Sequence, residues 1–231
     1  SSKILGNANS IAITANGTIN LTQFDTVYGE KGSGTSFSYY ISADVEALKT
    51  RAGDDTNSAL AGAAGVAIVS GTPTDVDEYT TINNATAQGV TATVDTITDS
   101  ASDLISSGTT AIANASAIAI ESSAAITVAN YNDINALNTG GATFSFTITD
   151  DASGLTEADD GTDPAAALVA ASTITASEAL SIAQYDAIYE DLVTNGGGDI
   201  DDLTFDISDT YTLIAADITE NGNTTSTALD K

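Results

Sequence analysis

The chain contains no cysteine, histidine, methionine or tryptophan, and between Ala52 and Asp230 it contains no lysine or arginine. Each absence removes a class of chemistry. Without cysteine there are no disulfides, thiol nucleophiles or thiolate metal ligands. Without histidine the usual general base near neutral pH is missing. Only carboxylates remain for acid–base work over most of the chain. Paired carboxylates cleave glycosidic bonds, but such sites also draw on aromatic platforms and on Arg or His to grip the sugar. The adjacent acids Asp54–Asp55, Asp150–Asp151, Asp159–Asp160 and Asp201–Asp202 therefore read as solvated faces or helix caps. No catalytic residue is assigned, and the chain is expected not to be an enzyme. No run approaches about eighteen consecutive apolar residues, so no helical membrane span is expected. The opening "SSKILGNANS" lacks the apolar core of a secretory signal, and the chain is expected to be a processed form or a piece of something larger.

Charge of one sign is also nearly absent. Five basic residues (Lys3, Lys31, Lys49, Arg51 and Lys231) face 32 acidic ones, for a net charge of −27. Such a chain repels phosphate backbones and anionic lipid surfaces, which excludes nucleic acid and membrane partners. Its self-repulsion calls for screening by salt or divalent cations. The scarcity of sulfur and of nitrogen-rich side chains is the composition of a protein made in quantity and exported, so an extracellular or cell-surface location is expected. Regularly spaced Ile, Val, Leu and Tyr argue against disorder, despite long runs of Ser, Thr, Asn, Asp and Gly.

What is present is a repeat. "INLTQFDTVYG", "PTDVDEYTTIN", "AITVANYNDIN" and "ALSIAQYDAIYE" align on Phe24, Tyr79, Tyr131 and Tyr185, at intervals of 55, 52 and 54 residues. Three positions before each aromatic stands Leu21, Val76, Val128 or Ile182, and three after stands Val27, Ile82, Ile134 or Ile188. That spacing places them on one helical face. Asn20, Asp75, Thr127 and Ser181 occupy the N-cap position, with Gln23, Glu78, Asn130 and Gln184 three residues on. This completes a capping box in three copies. The residue before the cap (Ile19, Thr74, Ile126 or Leu180) offers a hydrophobic staple in three copies. Eleven residues before each aromatic, Ile13, Ile68, Ile120 and Ile174 mark short β-prone runs.

A second motif alternates with the first, in "FSYYISADVEAL", "TVDTITDSASDL", "FSFTITDDASGL" and "LTFDISDTYTLI". Its anchors are Ile41, Ile97, Ile148 and Ile207, followed seven residues later by Leu48, Leu104, Leu155 and Ile214. Period-two alternation before the anchor (Phe37–Tyr39–Ile41, Phe144–Phe146–Ile148, Leu203–Phe205–Ile207) predicts a half-buried strand. Asp99, Asp150 and Asp209, two residues past the anchor, read as starting the next helix; the first copy carries Ala43 there.

The chain is thus expected to be one α/β repeat domain, 1–231, of four strand–helix–strand–helix units, approximately 8–64, 65–114, 115–168 and 169–231. Parallel pairing with right-handed crossovers follows. The short, unlike strands favour a parallel α/β solenoid over the alternative closure, an eight-stranded α/β barrel. A solenoid needs polar capping repeats at its ends, and neither end carries one. The expectation is that flanking sequence is missing or that the ends meet other copies.

The phrases "TITDSASDL", "TITDDASGL" and "ALSIAQYDAI" resemble the Ala/Thr/Ser/Asp-rich tandem repeats of very large surface or secreted proteins of marine bacteria and cyanobacteria. The resemblance covers most of residues 65–231 and implies a structural or adhesive role outside the cell. It carries over no catalytic residue.

For a ligand, hard oxygen donors point to Ca²⁺. The better segment is "NGGGDIDD", with Asp199, Asp201 and Asp202; the second is "EADDGTD", with Asp159, Asp160 and Asp163. Neither has the spacing of an EF-hand or of a calcium-binding β-roll. The expected partners are other copies of the chain, end to end or side by side, in a filament, layer or long surface molecule. The alternative is a Ca²⁺-dependent adhesin module that binds glycan or a cell surface. One consequence of the charge pattern is checked by mass spectrometry. Trypsin acting on the unfolded chain should leave Ala52–Lys231 as a single fragment, and internal cleavage would contradict it.

Overall fold

A computed structural model describes residues 5–13, 17–54, 59–69, 73–156, 165–195 and 199–210. The repeat is visible as an alternation of strands and helices. The first copy has β1 (Ser10–Ala12), β2 (Thr18–Ile19), α1 (Leu21–Glu30), β3 (Ser36–Ser38), β4 (Tyr40–Ala43) and α2 (Val45–Ala52). The second has β5 (Gly65–Ile68), α3 (Val76–Asn84), β6 (Thr93–Asp99), α4 (Ala101–Ser107) and α5 (Thr109–Ala113). The third has β7 (Ala115–Ile120), α6 (Val128–Leu137), β8 (Thr143–Ser145), β9 (Ile148–Asp150) and α7 (Ala152–Thr156). After α8 (Ala165–Ala170), the fourth has β10 (Ile174–Ala176), α9 (Ile182–Tyr189) and β11 (Leu203–Thr204). The expected helix position Ile214 lies outside the described residues.

The strands pair in chain order: β1 with β3, then β2–β4–β5–β6–β7–β8, then β9–β10–β11. Every pairing with a defined register is parallel. The fold is therefore α/β with parallel sheets and flanking helices, as the repeat predicts. The chain divides into two compact units. One holds Ser1–Asp99, Ser106–Ile118 and Leu137–Thr143; the other holds Ser100–Ile105, Ala119–Ala136 and Phe144–Lys231.

One register recurs in all four copies. The residue before each N-cap lies opposite the isoleucine anchor: Ile19 opposite Ile41, Thr74 opposite Ile97, Ile126 opposite Ile148 and Leu180 opposite Ile207. In the last three copies its amide donates to the carbonyl just before the anchor, at 2.7–3.3 Å, and its carbonyl accepts from the amide just after it, at 2.8–3.0 Å. The position read as a staple is thus also the last rung of a parallel ladder. Its burial, even as Thr74 at 2% exposure, follows from that pairing.

The joints between copies are less uniform. Ile174 lies opposite Ile148, but Val66, two residues before the corresponding Ile68, lies opposite Ile41.

The buried set is the one the periodicity selects. Phe24, Tyr79, Tyr131 and Tyr185 are buried, as are Ile41, Ile97, Ile148, Leu48, Leu104 and Leu155. The helix aromatic rests on the strand aromatics: Phe24 on Tyr39 at 4.9 Å, Tyr131 on Phe146 at 4.8 Å and Tyr185 on Phe205 at 5.0 Å between ring centroids. The second copy has no strand aromatic. Its inward residues are Ala92, Val94 and Ile97, so the alternation skips one residue between Val94 and Ile97. Tyr79 there donates its hydroxyl to the Ala92 carbonyl at 2.8 Å. Tyr39 does the same to Ala59 at 2.8 Å.

In the first unit, the basic side chains of α2 pair with acids of their own helix and of neighbouring ones. Lys49 meets Glu46 at 3.2 Å and Glu78 at 2.5 Å, and Arg51 meets Asp25 at 2.7 Å. The hydrogen bond that Lys49 donates to Glu78 is the main cause that holds its ammonium above its usual range.

Burial pushes the Tyr39 and Tyr79 phenols up to about 12, the Tyr39 shift being reinforced by Tyr28, and burial also raises Tyr131. The unfolded chain loses these protons from pH ~10, while the folded chain keeps them, so stability is full below pH ~10 and declines as pH rises toward 12. Tyr39 and Tyr79 each cost about 1.4 kcal/mol per pH unit in that window. Tyrosinate absorbance and far-ultraviolet circular dichroism should change together between pH 10 and 12, and Tyr79→Phe should move the transition upward. Complete tyrosine ionisation near pH 10 with the dichroism intact would contradict this.

Candidate functional site

The polar groups with a defined geometry gather where a strand feeds a helix. A helix leaves its first amides without internal partners, and in this chain they are answered twice. The N-cap side chain accepts from the third helical amide: Asn20 from Gln23 at 2.9 Å, Asp75 from Glu78 at 2.7 Å, Thr127 from Asn130 at 3.1 Å and Ser181 from Gln184 at 3.3 Å. The return bonds also form in every copy, from the cap amide to Gln23, Glu78, Asn130 and Gln184 at 2.8–3.4 Å. Three boxes were expected. The fourth closes through the shorter Asn130, whose return bond is the longest of the set.

The second answer comes from the aspartates after the anchor. Asp99, Asp150 and Asp209 each accept, through Oδ2, from the first amide of the preceding helix: Val76 at 3.1 Å, Val128 at 2.9 Å and Ile182 at 3.1 Å. Each therefore ties the end of one strand back to the helix start on the strand beside it. This differs from the expected role as the cap of the next helix. In the first three copies that cap is the following residue: Asp44 accepts from Ala47 at 2.8 Å, Ser100 from Asp103 at 3.1 Å and Asp151 from Gly154 at 2.9 Å. Asp150 is held so close that a Cβ on Gly154 would clash with its carboxylate. The signal for this role was present in the sequence, since Asp and the capped helix recur together in three copies and Ala43 replaces it in the first.

Asp150 and Asp151 serve two different helices. Of the calcium candidates, Asp199 caps a short 3₁₀ turn, Ile200–Asp202, accepting from Asp201 at 3.0 Å. Asp201 and Asp202 are exposed on that turn. Asp159, Asp160 and Asp163 lie outside the described residues. Among the described residues, no three carboxylates come together in a group that could hold a metal ion.

The second unit also has a shallow cavity of about 160 Å³, lined by Ala119, Ser123, Ser145, Phe146, Thr147 and Ser172 among others. At its rim the backbone is left-handed at two successive serines, Ser122 (φ 57°) and Ser123 (φ 53°), a conformation that costs non-glycine residues of order 1–2 kcal/mol each. No charged side chain lines this cavity.

Comparison with family models, curated proteins and solved structures gives no match.

The aspartate tie yields a paired test in chemical denaturation. Asp150→Ala should cost about 1–2 kcal/mol by leaving the Val128 amide unanswered. Ala43→Asp should add about 0.5–1 kcal/mol by supplying the missing acceptor to α1. Its gain should be larger in salt, where the extra negative charge is screened, and Ala43→Asn should keep part of it without that charge. Equal stability of all these variants would remove the tie as a determinant of the fold.

Proposed function

We propose that this is a non-enzymatic structural repeat protein, exported from the cell, whose copies assemble into a filament, layer or long surface molecule. The observation that carries the reading is the spending of polar side chains. The aspartates that recur with the repeat are committed to helix starts, copy after copy, instead of converging on a reacting centre. The repeats stack as an open α/β solenoid in this reading. Support for an open over a closed arrangement comes from the outermost strands, since β1 is partnered by β3 alone and β11 by β10 alone among the described residues. The composition supports export in quantity, and the net charge of −27 makes assembly depend on cations that screen the acidic surface.

A second reading, a Ca²⁺-dependent adhesin module for glycan or a cell surface, draws its support from the hydroxyl-lined cavity and its left-handed serines. Size-exclusion light scattering in millimolar Ca²⁺ and in EDTA separates the two. Large species in Ca²⁺ that revert toward 23.2 kDa in EDTA are expected. A monomer in both conditions, together with a hit on a glycan array, would transfer the case to the adhesin.

A further inference from the structure

We propose that ionic strength switches one half of this chain: the second unit holds its fold only where salt or divalent cations screen it, and the first unit holds its fold without them. The inference goes beyond the assembly reading and concerns a single copy. Charge is unevenly divided between the units. The first, Ser1–Asp99 with Ser106–Ile118 and Leu137–Thr143, has eleven acidic residues against four basic ones, a net −7. The second, Ser100–Ile105 with Ala119–Ala136 and Phe144–Lys231, has 21 acidic residues against the single Lys231, a net −20. The units are close in length, and repulsion grows as the square of the net charge, so it is about eightfold greater in the second.

Equivalent positions show what the imbalance does. In the first unit Asp25, one residue past the helix aromatic, meets Arg51 at 2.7 Å, and Lys49 meets Glu78. Opposite charges thus join α1 to α2 and α2 to α3. In the last copy Asp186 stands where Asp25 does, but one turn on comes Glu190. Both are exposed, and like charges at that spacing destabilise a helix. No described residue of the second unit is basic, so opposite charge reaches it from solution. The screening length is ~30 Å at about 10 mM salt and ~3 Å at about 1 M. A unit of this length has a radius of gyration of ~13 Å. At low salt every acid of the second unit therefore repels every other, which works against the compact state; at high salt only neighbours do. In the first unit the same change also screens the attractive pairs, and the two effects oppose.

The experiment is amide hydrogen exchange of the full chain, read on peptic fragments by mass spectrometry, at about 10 mM and about 1 M NaCl in EDTA, and at low NaCl with millimolar Mg²⁺ or Ca²⁺. Amides of α6, α9, β9 and β10 should gain about tenfold or more in protection at high salt, and those of β4, β5, β6 and α3 less than about threefold. Mg²⁺ and Ca²⁺ should act alike. Neutralising four exposed acids of the second unit, with Glu121→Gln, Asp133→Asn, Glu178→Gln and Glu190→Gln, should lower the salt concentration at its midpoint by about twofold. Glu30→Gln with Asp77→Asn, exposed in the first unit, should leave that midpoint in place. Equal gains in both units, no gain in the second, or a midpoint that the four changes do not move would overturn the switch. Recovery in Ca²⁺ but in neither Mg²⁺ nor NaCl would overturn it in favour of a calcium site. Protection that falls on dilution belongs to assembly, so the switch fails and the assembly reading stands. A chain that is monomeric throughout and still shows the split response keeps the switch and fails the assembly reading alone.

Discussion

The first turn of a helix exposes amides that must find acceptors, and the architecture is organised around that demand. Each long helix begins two residues after the last rung of a parallel strand, so its start is held by the sheet. The cap side chain takes the third amide, and in the last three copies the aspartate of the neighbouring strand takes the first. This converts a local requirement of one helix into a link between two strands. Parallel pairs cannot be joined by a hairpin, and here the carboxylate supplies a fastening that a turn would otherwise provide.

The hydrophobic side of the arrangement is thin but uniform. One aromatic of each capped helix is buried, and in the first three copies an isoleucine anchor and a leucine seven residues on are buried as well. Where the strand aromatics are missing, in the second copy, Ala92 and Val94 fill the layer and the Tyr79 hydroxyl finds a backbone carbonyl. The strands alternate in burial, which is uncommon in parallel sheets. It leaves a small-residue face on the side away from the core.

Much of this was legible in the residues. The helix starts, their caps, the buried face through Tyr79, Ile82 and Val76, and the half-buried strands that carry Ile41 and Ile148 all follow from spacing and side-chain chemistry. What spacing could not show is partnership at a distance. Asp150 has the same local pattern whether it caps the helix after it or answers Val128 on the strand beside it, and only the ladder register brings those two together. The fourth capping box was missed because Asn130 is not among the residues that ordinarily complete one. The calcium candidates Asp199, Asp201 and Asp202 are close in sequence, yet their turn uses Asp199 as a cap, and among the described residues no three acidic ones gather there.

The unequal joints between copies have a consequence for how such a chain can change length. The offset between Ile68 and Ile174 relative to their anchors is two residues, and a two-residue slip along a strand returns every side chain to its original face. A joint can therefore gain or lose residues in pairs while the core pattern is preserved. A single residue inverts the pattern unless the strand skips a position, as β6 does between Val94 and Ile97. Shifts of strand register at these joints are thus filtered by parity, and even-numbered ones preserve the core pattern.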